Sequence, residues 1–239
     1  MLHRLLAADA RLAPCARAIL LGGAPASAAL LGAAADRGLP ILTTYGLTEA
    51  CSQVTTQRLG TTNDGALGAG PPLHGVELRF SAGGIAVRGA MLFSGYLGET
   101  AAPCDTDGFF DTGDAGVLDA HGNLHIHGRR SDLVIVGGEN VYPAEVEQAA
   151  IDCPPVAEAC AFGVPDDEWG QRVALVVVGR DGRRVDLPAL AVALRQRLAT
   201  YKCPTRMAQV EALPTLGIGK LDRRTAAASF ATQVRPVDA

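Results

Sequence analysis

No Cys-x-x-Cys pair occurs among the six cysteines of this 239-residue sequence, which leaves a zinc ribbon and a redox dithiol without a basis. Cys15, Cys51, Cys104, Cys153, Cys160 and Cys203 sit mostly among apolar or small neighbours and read as reduced, buried thiols rather than a disulfide framework. No uninterrupted apolar run reaches bilayer-spanning length: the alanine-rich stretch at residues 24–35 closes with Asp36 and Arg37. A basic stripe is also missing. Lysine and arginine total 21 against 25 aspartates and glutamates, a formal charge of −4, and they are scattered, so no nucleic-acid and no membrane partner is expected. A secretory leader has no support, because Arg4, Asp9 and Arg11 interrupt residues 2–13. The default address is cytoplasmic, and Met1 is compatible with an internal methionine of a longer chain. There is no internal repeat and no low-complexity tract beyond alanine-rich helix. Small molecules are left as the expected partners.

What is present is enough apolar residue, 48% against 19% charged, to bury a core in one or two domains. Residues 18–21 form a short apolar run ending in Gly22 and Gly23. Pro25 then suits a first helical position, an alanine-leucine helix runs to Arg37, and Gly38 stops it. Residues 41–44 read as the next strand. Strand, helix and strand with short links predict a βαβ unit, whose parallel strands present the glycine pair and the loop at Tyr45 on the same edge. From residue 63 to 127 the pattern shortens to alternating segments at 76–80, 85–88 and 123–127, which predict a small antiparallel sheet or barrel. Residues 133–136 predict a strand, Pro143 a helix start with Val146, Ala149 and Ala150 on one side, and residues 156–164 and 172–178 two more strands. Asp186 caps a helix in which Leu187, Leu190, Leu194 and Leu198 share a face, ended by Lys202-Cys203-Pro204. The final third is thus a compact α+β domain, and residues after about Ser229 read as a loose tail.

Four runs carry chemistry. Tyr45-Gly46-Leu47-Thr48-Glu49 presents an aromatic plane, a hydroxyl and a carboxylate as the chain leaves a strand; alone it fits equally well an ordinary strand-to-helix loop with a Thr cap. Asp111-Thr112-Gly113-Asp114 offers carboxylates, which accept and never donate when ionised, although a glycine-containing β-turn has the same look. Gly128-Arg129-Arg130-Ser131-Asp132 leads through a β-branched strand into Gly137-Gly138 and the helix start at Tyr142-Pro143. Pro214-Thr215-Leu216-Gly217-Ile218-Gly219-Lys220 perches a long cationic arm between glycines, where a plain surface lysine is the commoner finding. His121, His125 and His127 lack a fourth ligand and read as partly exposed strand residues rather than a metal site.

In this order the runs resemble the acyl-adenylate-forming (AMP-binding) superfamily, which activates a carboxylate with ATP and passes the acyl group to coenzyme A. The resemblance extends from about residue 18 to 224 and covers the carboxyl-terminal half of the family's architecture. It implies an α/β plus α+β chain: residues 1–128 as the carboxyl-terminal part of the large AMP-binding domain, with a βαβ unit and a small β-barrel; 129–131 as a hinge about Ser131; and 132–239 as the small mobile domain. It implies that Tyr45 and Gly46, with Gly22, Gly23, Ala24 and Pro25, line the adenine. Thr48 would bond the α-phosphate, Glu49 help hold Mg, Asp114 accept from both ribose hydroxyls, and Arg129 reach ribose and phosphate. Lys220 would bridge the carboxylate and the α-phosphate, and so stabilise the anionic transition state. Gly137 and Gly138 would line the CoA channel, with Trp169 and Lys202 as further CoA contacts, for which a core-edge tryptophan and a helix-ending lysine are the plainer readings.

The residues around Tyr45, with Ser131-Asp132 and the run to Glu147, look most like the o-succinylbenzoate–CoA ligases of menaquinone biosynthesis. Ser52, Gln53 and Thr55 then offer hydrogen bonds for a second carboxylate or keto group, or form a polar helix face beside the loop. A Ser/Thr/Gly-rich phosphate loop, which the family carries upstream of the tyrosine run, has no counterpart here, so adenylation by this chain alone is expected to be weak. The expected function is an AMP-forming acid–thiol ligase using ATP, Mg and CoA, alone or with a missing N-terminal half or as a homo-oligomer. The alternatives are a catalytically incompetent AMP/CoA-binding fragment and a ligase for another fatty or aryl acid.

Overall fold

A short helix and then a three-stranded sheet begin the fold, in a computed structural model that describes residues 2–8, 12–13, 15–23, 26–61, 68–81, 83–217 and 220–237. Two units divide it, Met1–Arg130 and Ser131–Ala239.

In the first unit, α1 (Leu2–Ala7), β1 (Ile19–Leu21), α2 (Ala28–Asp36), β2 (Ile41–Leu47) and β3 (Ser52–Thr56) follow in order. β1 and β2 are parallel, Leu21 opposite Thr43, and β3 returns antiparallel to β2. The expected βαβ unit is there, and α2 starts at Ala28 because the Ser27 hydroxyl accepts from the Leu30 N–H at 3.1 Å. Pro25 lies outside the described residues. Leu2, Leu31, Ala34 and Ile41 form the small core beneath this unit.

The loop after Tyr45 departs from the strand-to-helix alternative. One turn of 3-10 helix, Thr48–Ala50, ends at Cys51 in the left-handed region (φ 55°), and the chain doubles back as β3. Only glycine fits at 46, because a Cβ there would run into the Ser52 backbone where the β2–β3 register slips. Ser52, Gln53 and Thr55 are therefore strand residues, not a helix face.

β4 (Glu77–Ser81), β5 (Gly84–Arg88), β6 (Phe110–Leu118) and β7 (Leu124–Arg129) make an antiparallel sheet in chain order. It is open: among the described residues β4 and β7 do not pair, so the sheet half of the sheet-or-barrel expectation is the one realised. Val54, Ile85, Val87 and Leu124 fill its core.

The second unit holds the hairpin β8 (Val134–Val136) and β9 (Glu139–Val141), α3 (Pro143–Ile151), β10 (Val156–Asp166), β11 (Gly170–Gly179), α4 (Leu187–Arg195), β12 (Arg206–Gln209), α5 (Arg223–Phe230) and β13 (Arg235–Pro236). β10 to β13 form a sheet in that order, with the β11–β12 step parallel and carried by α4. Alternation along β10 and β11 sorts the core by face. Ala159, Ala161, Val173, Leu175 and Val177 pack with Val146 of α3 and Leu190 and Leu194 of α4, while Cys160, Phe162, Val164, Ala174 and Val176 pack with Ala226 of α5. Asp186 caps α4 as its side chain accepts from the Ala189 N–H.

Two expectations fail here. The α4 helix stops at Arg195 rather than at Lys202, and Leu198 joins the core from the following turn. The tail after Ser229 is not loose through Val237: β13 pairs with β12, and Val234 is buried. The thiols divide as well. Cys153, Cys160 and Cys203 are buried, and burial pushes the Cys160 thiol up to about 12, but Cys15 and Cys51 are exposed.

Candidate functional site

β6 and β7 meet β2 through one carboxylate. The Tyr45 hydroxyl donates to Asp114 Oδ2 at 2.6 Å, and Arg129 Nε lies 3.0 Å from Asp114 Oδ1. Strand register makes this possible, since Asp114 and Arg129 are directly opposite on β6 and β7. Arg129 Nη1 also donates to the Thr112 carbonyl at 2.8 Å. The Thr112 hydroxyl donates to the Ile85 carbonyl at 2.8 Å and accepts from the Asp114 N–H at 3.1 Å, so main chain and side chain of Asp114 are both fixed.

Asp114 is 8% exposed. Burial first, then the hydrogen bond to Asp114, pushes the Tyr45 hydroxyl far above the ordinary phenol range, because a phenolate here would be poorly solvated and beside a carboxylate. Tyr45 therefore remains a neutral donor at physiological pH. An ionised carboxylate accepts about four hydrogen bonds, more than Tyr45 and Arg129 use, which leaves Asp114 acceptor capacity for a ligand's hydroxyls.

Glu49 stands at the end of the same loop. Tyr96 donates its hydroxyl to Glu49 Oε1 at 2.7 Å, and the Phe93 N–H donates to the Glu49 carbonyl at 2.8 Å. Edge-to-face contacts of Phe93 with Tyr96 (4.8 Å) and Phe110 (5.3 Å) hold this arm. The Tyr96 hydrogen bond, then the residue's own N–H, holds the Glu49 carboxyl below its usual range, with Arg129 adding to the same effect. Thr48 is exposed beside it. Gly22 and Gly23, both exposed, follow β1 where its parallel pairing with β2 ends at Leu21 and Thr43, and Tyr45 lies two residues further along β2; Ala24 and Pro25 lie outside the described residues. Thr55 is fully buried, its hydroxyl donating to the Ala69 carbonyl at 2.8 Å, so it faces no substrate.

In the second unit, Gly137 and Gly138 form the turn of the β8–β9 hairpin with φ of 59° and 91°. A Cβ on Gly137 would run into the Trp169 indole, and the Gly137 N–H donates to the Trp169 carbonyl at 3.0 Å. Trp169 thus walls one side of the turn, with Arg172 stacked 4.9 Å from its ring centroid. Lys202 is engaged elsewhere: Nζ is 2.7 Å from both Glu145 oxygens. Lys220 is exposed; the Leu216 N–H donates to the Lys220 carbonyl (2.7 Å) and the Asp222 N–H to the Pro214 carbonyl (2.9 Å). Ser131 begins the unit, exposed, its hydroxyl donating to Asp132 Oδ1 at 3.2 Å.

Tyr45, Asp114 and Arg129 thus belong to one network, with Glu49 close enough to feel the Arg129 charge, and Gly137 and Trp169 to another. Tyr96 and the orienting role of Thr112 escape the sequence reading. Thr112 lies inside the Asp111-Thr112-Gly113-Asp114 run, and Gly95 and Gly98 to either side are the local signal for Tyr96.

The AMP-binding enzyme model matches residues 1–97, and the AMP-binding enzyme C-terminal domain model matches residues 145–220. The chain belongs to the AMP-binding enzyme family. It is 41% identical to the 2-succinylbenzoate–CoA ligase of Geobacillus kaustophilus, over 94% of this chain and 49% of that protein. Among solved structures it resembles Bacillus subtilis o-succinylbenzoate CoA synthetase (MenE) in complex with the acyl-adenylate intermediate OSB-AMP, with a TM-score of 0.88, 34% identity, and coverage of 100% of this chain and 50% of the other. The same enzyme in complex with ATP and magnesium ion gives 0.84 at 34% identity, over 94% and 49%. The chain spans about half the length of the curated relatives it matches.

Proposed function

We propose that this chain carries the nucleotide- and thioester-handling part of an AMP-forming carboxylate–CoA ligase acting on a 2-succinylbenzoate-like acid. The Tyr45–Asp114–Arg129 network is the observation that carries the reading. Asp114 is an oriented carboxylate acceptor with unused capacity, matched to a vicinal diol such as a ribose; Tyr45 supplies a plane for the adenine, and Arg129 a cation for ribose and phosphate.

The residues present fit magnesium only in partnership with a phosphate. Glu49 is ionised and offers hard oxygen, with Oε1 held by Tyr96, but no group of three or more acidic, His or Cys side chains among the described residues makes an all-protein cage. Magnesium bound with ATP would neutralise phosphate charge; Glu49 would hold it, and Thr48 would bond the α-phosphate. In the first half-reaction a carboxylate oxygen of the acid bonds to the α-phosphorus as the bond to pyrophosphate breaks, and Lys220 balances the gathered negative charge. In the second, the CoA sulfur attacks the acyl carbon and AMP leaves. Gly137 and Gly138, without side chains and backed by Trp169, suit the passage of a slender pantetheine arm; Lys202, paired with Glu145, is the weaker CoA contact.

The test separates the half-reactions. With preformed 2-succinylbenzoyl-adenylate and CoA the chain is expected to form thioester, followed by chromatography, and to bind AMP by calorimetry. Lys220→Ala is expected to remove whatever ATP–pyrophosphate exchange the chain supports while sparing thioester formation. Exchange surviving Lys220→Ala, or neither AMP binding nor thioester formation, overturns the proposal. The lack of a phosphate-loop run favours one second reading, a module that binds AMP or CoA without turnover, which AMP affinity without thioester formation would select.

A further inference from the structure

Arg223 is the most heavily engaged cation of the second unit, and its partners come from distant parts of the chain. Its Nε donates to Glu147 Oε1 at 3.0 Å and its Nη2 to Glu147 Oε2 at 2.8 Å, a two-pronged grip on α3. Nη1 donates to Asp132, the residue after Ser131. Glu147 is 8% exposed and its Oε1 also accepts from the Ala161 N–H of β10 at 2.9 Å, so the cluster is tied to the central sheet. Burial opposes the Arg223 charge, yet the Glu147 hydrogen bonds and the two carboxylates outweigh it.

Arg223 is also the first residue of α5, and Asp222 before it caps the helix by accepting from the Thr225 N–H. Asp222 closes the Lys220 loop from the other side, through its N–H to Pro214, and Thr215 bridges to Leu221 one step further out. The base of the loop that bears Lys220 therefore stands directly on Arg223.

We propose that Arg223 is a positioning residue: with Asp132 and Glu147 it locks the Lys220 loop to the segment leaving Ser131, so that any turn of the backbone at Ser131 is passed on to Lys220. The proposal deepens the ligase reading and rests on it for its consequence in catalysis, although the mechanical coupling is measured without any ligand.

Amide hydrogen exchange on the full chain tests it. Arg223→Lys keeps the charge but loses the planar fork. Exchange at residues 214–222 is expected to rise about tenfold, the factor one charge-assisted hydrogen bond is worth, while β10 and β11 keep their protection. Asp132→Asn leaves Arg223 on Glu147 and is expected to raise exchange at residues 131–134. An equal rise across the loop, β10 and β11 in Arg223→Lys means general destabilisation and overturns the proposal, as does unchanged exchange at 214–222 or, in Asp132→Asn, at 131–134. Because no nucleotide is present, these outcomes are independent of whether the chain binds AMP.

Discussion

Replacing Asp114 with asparagine keeps the shape of the side chain and removes its charge, which isolates what the carboxylate contributes. Two partners respond differently. The Tyr45 hydroxyl, mostly buried and 2.6 Å from Oδ2, exchanges a charge-assisted bond of about 1.5–3 kcal/mol for a neutral one of about 0.5–1.5 kcal/mol. Arg129, whose side chain is 56% exposed, contributes at most about 1 kcal/mol through its ion pair, and salt screens it. Asp114→Asn should therefore cost the first unit about 2 kcal/mol, a urea midpoint shift of about 1 M. Arg129→Gln should cost less than about 1 kcal/mol.

The assay needs a probe confined to the right unit. The sole tryptophan, Trp169, lies in the second unit with Tyr142 and Tyr201, so its fluorescence should be unmoved while the change in tyrosine near-ultraviolet dichroism comes from Tyr45 and Tyr96 of the first. A double-mutant cycle with Tyr45→Phe should return a coupling of about 1 kcal/mol between Tyr45 and Asp114. On the proposed function, AMP affinity of Asp114→Asn should also fall about 10- to 100-fold, since the ribose hydroxyls lose a charged acceptor. A cycle with no coupling, or an Arg129→Gln cost equal to that of Asp114→Asn, would refute the assignment of the energy to the tyrosine contact.

Two further predictions are independent of ligand. Tyr45 and Tyr96 should ionise above the ordinary phenol range in an ultraviolet phenolate titration: burial and Asp114 raise the first, and the hydrogen bond to Glu49 leads the causes for the second. Because the folded values lie above the unfolded ones, the stabilisation is complete below about pH 10 and is lost as pH rises through the folded values; Tyr45→Phe should delete the highest step. Gly137→Ala, forcing a Cβ into the Trp169 ring at φ 59°, should destabilise the second unit by about 1–3 kcal/mol and shift Trp169 emission; a neutral variant would show that the turn relaxes freely.

Local signals were legible and distant ones were not. The Asp186 cap and the strands β10 and β11 each depend on residues within a few positions, which is the range over which helix and strand periodicity act, whereas the Ser27 cap went unread and β2 runs through Tyr45 to Leu47, past the expected exit. The expected sheet strands fell within a residue or two of their observed bounds, but whether they close is decided by which edges find partners, and no run of residues encodes that. The tail misled because β13 is two residues long and stabilised by pairing with β12 rather than by its own pattern.

The candidate residues of each unit follow the same division: motif reading named them without giving their contacts. Tyr45 and Asp114 were each visible inside a short run, but they are 69 residues apart, so their hydrogen bond depends on β6 and β7 being in register and on β2 reaching the same place. Arg223 lies 91 residues from Asp132 and 76 from Glu147, and in sequence it was only a basic residue three positions after Lys220. A bidentate Arg–carboxylate pair with a third acceptor restricts geometry far more than exposed charges do, so the contacts that fix local geometry are those for which sequence offers least warning. Within each unit the candidate residues are written in short runs, whereas what holds them is written in long-range hydrogen bonds and ion pairs that only the folded sheets bring together.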